Sequence, residues 1–300
     1  MRSRLLFPHR FKLLGWLLAL PGFVLGYQVV YNDYNIPGFE LVLREKSSLF
    51  LSASENFTNE LALTMVITGL LLIAFSKQKT EDELTAKMRL NALYWSILVN
   101  FCWYGVLVVF AVINTIVHIT SIGSIVSFAS DNLTFTVYNL FMPLVILIVR
   151  FYYLLYKNKE EYEIKPLRFL SYKPYRILGI ILSVGLFTGL IIANLAGVDE
   201  NKLSVAYLLP LVMLLWVYSK EKEEDEYINT IRLNAMQIAV YVNYAILLIG
   251  NFAVYGLGFL YVLVFNLATI PTIFLIVFHY RLYKIRQEDS ERSRLNLNLL

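Results

Sequence analysis

Two stretches of this 300-residue chain gather most of the groups able to do chemistry. Residues 76–92 read SKQKTEDELTAKMRLNA and residues 219–235 read SKEKEEDEYINTIRLNA, 143 positions apart and identical at ten of 17 places. Composition alone gives about one identity in such a window. Each stretch carries three adjacent carboxylates, Glu81, Asp82 and Glu83 in the first and Glu224, Asp225 and Glu226 in the second, followed by Arg89 or Arg232. The shared Asp and Arg lie seven residues apart, nearly two helical turns, and so share one helix face. The simplest reading is a solvated helix start; a sharper one is that, around a two-fold axis relating the stretches, Asp82 pairs with Arg232 and Asp225 with Arg89, fixing register or forming a gate. An exposed ion pair contributes only about 0–1 kcal/mol, so such pairs matter only when partly buried. Locally, Thr80 and Glu83 have capping-box spacing, the carboxylates suit the positive end of a helix dipole, and Glu83 and Lys87 are spaced for an i,i+4 pair. Adjacent helical carboxylates point in different directions and do not converge on a cation. No metal and no cofactor is expected.

The remaining polar groups are dispersed. His9, His118 and His279 are far apart, and no HExxH, GxSxG or phosphate-binding loop occurs, so the chain is read as a non-enzyme. The single Cys102 excludes an internal disulfide and a cysteine-based metal site. Within apolar runs the polar groups are chiefly amides. Of these, Asn100 and Asn243 match across the two stretches, as do Asn139 and Asn266. Asparagines hold membrane helices together by interhelical hydrogen bonds; the matched pairs are also the candidates for lining a polar cavity.

These groups need elements to position them, and the composition says what kind. Hydrophobic residues make up 58% and charged residues 16%, with a mean hydropathy of +0.61, against roughly 45–50% and about 25% in soluble domains. The chain is therefore an all-α integral membrane protein. Eight apolar runs reach or approach the roughly 20 residues that cross a bilayer: 11–30, 57–76, 91–117, 134–156, 175–196, 203–219, 235–255 and 258–283. The first follows Arg2, Arg4, Arg10 and Lys12 like a signal peptide, but lacks a small-x-small cleavage site and is read as a retained span. Of the 26 Lys and Arg residues, all but Arg44, Lys46 and Lys202 fall on one side of an eight-span arrangement, which places both termini in the cytoplasm. A net charge of +4 is too small and too scattered for a nucleic-acid binder.

A second match ties the halves together. Residues 139–157 align with 266–284 at eight of 19 positions, and a weaker Leu-Gly pattern joins Leu14-Gly15 to Leu178-Gly179. The expected architecture is eight transmembrane helices as two parallel four-helix repeats. Residues 1–157 form the first, with outer loops 31–56 and 118–133. Residues 158–174 are a cytoplasmic linker, 175–284 the second repeat, and 285–300 a charged cytoplasmic tail. Four spans per copy is an even number, so both copies insert the same way up.

The Ser-Lys-x-Lys-x-Glu-Asp-Glu segments Ser76 to Glu83 and Ser219 to Glu226 resemble those of an uncharacterised family of bacterial multi-pass membrane proteins. The resemblance implies the bacterial cytoplasmic (inner) membrane and no activity. The functional expectation is a non-enzymatic membrane sensor or regulator, embedded in the lipid bilayer and contacting a cytosolic protein partner through its acidic segments. The alternative is a transporter or channel for a neutral or lipid-like solute, with a site between the repeats.

Overall fold

A computed structural model describes residues 5–42, 54–117, 134–158, 167–196, 208–222, 225–254 and 257–297. The chain is helical almost throughout: α1 (Phe11–Asn32), α2 (Thr58–Phe75), α3 (Glu83–Val117), α4 (Thr134–Asn158), α5 (Ile177–Leu195), α6 (Leu209–Val217), α7 (Glu226–Ala253) and α8 (Leu257–Leu297). Among the described residues, seven helices are long and apolar enough to cross a membrane. These features are those of a multi-pass membrane protein. A helix satisfies its own backbone polar groups, which hydrocarbon cannot do for it. The sixth expected span, 203–219, is the exception: its helix runs for nine residues, and the residues before position 208 lie outside the described set. The acidic stretch at 83–90 continues without a break into the apolar body of α3. Much of the expected tail is also helix, since α8 extends to Leu297.

The chain forms two compact units. One comprises Met1–Pro166 with Tyr244–Phe265, and the other Leu167–Asn243 with Asn266–Leu300. This differs from a division at the linker, because residues 244–265 of α7 and α8 belong with the first unit.

In the first unit α1 packs along α2, and α4 packs against α2 and α3. Small residues make the α1–α2 approach close. A Cβ built on Gly69 would stand 2.5 Å from the Ala19 backbone nitrogen, and one on Gly15 would stand 2.8 Å from the Gly69 carbonyl oxygen. Helices in lipid associate through this kind of contact, because hydrocarbon tails remove the hydrophobic incentive. The other side of α1 carries exposed Leu13, Leu17, Leu20 and Val24, as a lipid-facing surface requires.

Helix α1 ends at Asp33, whose φ of 48° is left-handed, a conformation that Asp tolerates better than most residues. Part of the expected outer loop 31–56 is ordered as a two-stranded antiparallel ribbon. Strands β1 (Glu40–Val42) and β2 (Ser54–Asn56) pair with Leu41 opposite Glu55. Asn56 fixes the ribbon to α2: its Oδ1 accepts from the Thr58 amide at 3.1 Å, and its Nδ2 donates to the Ile36 carbonyl at 3.2 Å. The second expected outer loop, 118–133, lies outside the described residues.

In the second unit α5 packs on α6 in the same manner as α1 on α2. A Cβ on Gly179 would lie 2.6 Å from the Trp216 backbone nitrogen, and one on Gly15 would lie 3.0 Å from that of Ile73. Ile73 and Trp216 are 143 residues apart, the spacing of the acidic stretches.

Candidate functional site

The acidic stretches begin where α2 and α6 end. The last turn of any helix leaves carbonyl oxygens without intrahelical donors and carries partial negative charge. In both units an arginine from the start of the next helix answers that need. Arg89 Nη2 donates to the Ser76 carbonyl at 3.1 Å. Arg232 Nη1 donates to the Val217 and Ser219 carbonyls at 3.0 and 2.9 Å. Both side chains are buried, with 2% and 1% of their surface exposed. Each guanidinium also lies over an aromatic ring of the helix ending its half. Arg89 is 4.7 Å from the Phe151 centroid and Arg232 is 4.9 Å from that of Phe278, with Phe169 at 4.5 Å. Cation–π contacts of desolvated groups reach about 2 kcal/mol.

Glu81 completes the first clamp. It pairs with Arg89 through two bonds of 2.7 and 3.2 Å, and its Oε2 also accepts from the Gln78 amide at 2.8 Å. Its counterpart Glu224 lies outside the described residues. Within each unit the shared aspartate and arginine bond to their own stretch and to the helix end before it. Each arginine closes the helix end beside it, and each aspartate caps its own helix. Asp82 Oδ1 accepts from the Thr85 amide at 2.7 Å, and Asp225 Oδ1 accepts from the Ile228 amide at 2.7 Å. The N-cap is thus the shared aspartate, and not Thr80 in a box with Glu83. Hydrogen bonds from the Thr85 side chain and amide hold the Asp82 carboxyl below the usual carboxylate range. Asp82, Glu83, Asp225 and Glu226 are exposed at the helix starts.

The chain entering each unit is drawn into the same place. Phe7 donates its amide to the Phe75 carbonyl and accepts from the Lys77 amide, both at 2.9 Å; Leu170 does the same with Tyr218 and Lys220, again at 2.9 Å. Beside these bridges sit groups that sequence reasoning missed. In the first unit Lys12 Nζ donates to Gln78 Oε1 at 3.2 Å and lies 4.7 Å from the Tyr152 ring centroid. In the second, Arg176 Nη1 is paired with Glu221, and its Nη2 is 3.3 Å from His279 Nε2. Gln78 and Glu221 are 143 residues apart, and Tyr152 and His279 are 127 apart, the spacing of the second sequence match. Lys12 and Arg176 stand three residues before Gly15 and Gly179. The signal was present in the aligned positions, but these residue types differ between the halves, and a search for identities passes over them.

The asparagines behave less uniformly. Asn100 and Asn243 are buried, at 5% and 2% exposure. Asn266 Nδ2 lies 3.5 Å from the Asn243 carbonyl oxygen, the limit of a hydrogen bond, and Asn243 Oδ1 is buried with no hydrogen-bond partner among the described residues. The Asn139 side chain lies outside the described residues. Asn251 donates to the Glu60 carbonyl at 3.0 Å and ties α7 to α2 within the first unit.

No protein-family model, no curated protein and no solved structure matches this chain.

Proposed function

We propose that this protein is a non-enzymatic sensor or regulator of the bacterial cytoplasmic membrane. Its two four-span repeats insert the same way up, with both termini and both acidic stretches in the cytoplasm. The observation that carries the reading is the buried arginine clamp present in both units. Arg89 and Arg232 tie the turn after one helix to the start of the next and to an aromatic ring of a third. A shift of any of these helices therefore moves the acidic helix start, where Asp82, Glu83, Asp225 and Glu226 face outward. Those carboxylates form the surface offered to a basic cytosolic protein partner. The positive-inside distribution supports the orientation, and the matched clamps support the descent of both halves from one unit.

The test is native purification in lipid particles of the wild type and of a variant carrying Asp82→Asn, Glu83→Gln, Asp225→Asn and Glu226→Gln. Asn caps a helix about as well as Asp, so the variant keeps its fold while losing the charges. A stoichiometric cytosolic protein held by the wild type and lost from the variant is expected. Equal retention by both, or no protein partner in either, contradicts the reading. The second reading, a transporter for a neutral or lipid-like solute, is favoured by one feature. Asn243 Oδ1 is an unpartnered buried acceptor, and a solute donor would satisfy it.

A further inference from the structure

We propose that Arg176, Glu221 and His279 form a proton-binding latch that holds the start of α5 to α8 and opens when His279 takes up a proton. The inference is independent of what docks on the acidic helix starts.

The hydrogen-bond partners define the state of the closed latch. His279 Nδ1 is 2.8 Å from the Leu275 carbonyl oxygen, which can only accept, so Nδ1 carries a hydrogen. His279 Nε2 faces Arg176 Nη2 at 3.3 Å, and a guanidinium can only donate, so Nε2 presents its lone pair. The ring is therefore neutral, with both nitrogens in use. Trp216 flanks it at a centroid distance of 5.4 Å and Phe278 at 5.5 Å. Among the described residues, the charged groups acting on the ring are Arg176 from the start of α5, Glu221 from the segment after α6, and Arg232 from α7.

A proton arriving from water bonds to Nε2, the one basic lone pair on the ring, displacing the hydrogen bond from Arg176. That turns the acceptor of Arg176 into a donor and sets two cations at hydrogen-bond distance. Among the described residues one carboxylate, Glu221, then faces two cations, while the charge of Arg232 also acts on the ring. The Nη2–Nε2 bond is lost whichever cation keeps Glu221, and with it the tie from α5 to α8.

The first unit supplies the comparison. There Lys12, Gln78 and Tyr152 occupy the corresponding positions, Lys12 bonding to the amide and lying over the phenol ring. An imidazole is the side-chain type suited to take up a proton near neutral pH, and the first unit has a phenol in its place. The proton response is thus confined to the second unit.

The experiment uses the full-length chain in lipid particles with Trp16, Trp95 and Trp103 replaced by Phe, so that emission reports on Trp216 beside His279. Emission is titrated between pH 8 and 5. Hydrogen exchange of backbone 172–180 is followed over the same range, corrected for intrinsic rates. The expected result is a reversible one-proton change in emission, accompanied by several-fold faster exchange at the acid end. Two variants should abolish both: His279→Tyr, which installs the first unit's residue, and His279→Gln, whose side-chain oxygen still accepts from Arg176 but does not titrate. A variant that fails to fold leaves the other to decide. No emission change above pH 5, a change that survives in either folded variant, or an emission change without faster exchange at 172–180 overturns the latch.

Discussion

Replacing Arg232 by Ala tests whether the clamp holds the acidic stretch in place. The side chain is 1% exposed and makes two charge-assisted bonds to carbonyls at the end of α6, of 3.0 and 2.9 Å. Hydrogen bonds to charged groups contribute about 1.5–3 kcal/mol each. Two ring contacts at 4.5 and 4.9 Å add about 0.5–1 kcal/mol apiece. Taking the lower end of each range gives a loss of about 4 kcal/mol, because truncation leaves carbonyls that had a charged donor without it. For a chain of this size that corresponds to a fall in Tm of roughly 6 °C. The assay is thermal unfolding in detergent, followed by the fraction remaining monodisperse, with Lys222→Ala as an exposed control. Arg232→Lys should recover only part of the loss, since a compact ammonium lacks the planar, delocalised guanidinium that stacks on the Phe169 and Phe278 rings. An Arg232→Ala protein melting within about 1 °C of the control refutes the clamp.

Other expectations follow from the same geometry. Glu81→Ala removes the bidentate partner of Arg89, a residue 2% exposed beside a carboxylate 17% exposed; it should cost about 2–3 kcal/mol by the same melting assay, below the cost of breaking a fully buried pair. Gly179→Ala places a Cβ 2.6 Å from the Trp216 backbone nitrogen and should cost about 1–3 kcal/mol through overpacking, while Gly185→Ala, with nothing within 4 Å, should be neutral or mildly stabilising. Asp82→Ala should cost about 1 kcal/mol as a lost N-cap, and Asp82→Asn much less. The Asp82 carboxyl is held below its ordinary value, so its contribution is complete above the unfolded carboxylate range and is lost as pH falls through the lowered folded value. The wild-type and Asp82→Asn stability profiles should therefore run parallel above about pH 4, and the wild type should lose stability relative to the variant only in acid below that.

The helices were legible in the sequence because apolar runs near bilayer length leave few alternatives. Seven of the expected spans appear as long helices. The sixth, 203–219, is described only from position 208; its helix runs to Val217, after which the chain turns to bond Leu170. The repeated stretches were legible too, yet their roles were not. Seven-residue spacing between Asp and Arg says that both share a helix face. It does not say that the arginine turns back to the carbonyls of the preceding helix, a partner belonging to backbone and invisible in residue types. The cluster of Lys12, Gln78 and Tyr152 and its counterpart of Arg176, Glu221 and His279 escaped for the opposite reason. Position is matched in those sets while chemistry is not, so only the fold brings them together.

In the proposed topology two four-span repeats insert the same way up, with both acidic helix starts in the cytoplasm. Single cysteines at positions 83 and 226, in a Cys102→Ala background, test it directly with a membrane-impermeant thiol reagent. The account predicts that both are protected in intact cells and both are labelled in inverted membrane vesicles. Labelling of either one from outside intact cells would contradict it, because the two halves would then be inserted in opposite senses or turned the other way.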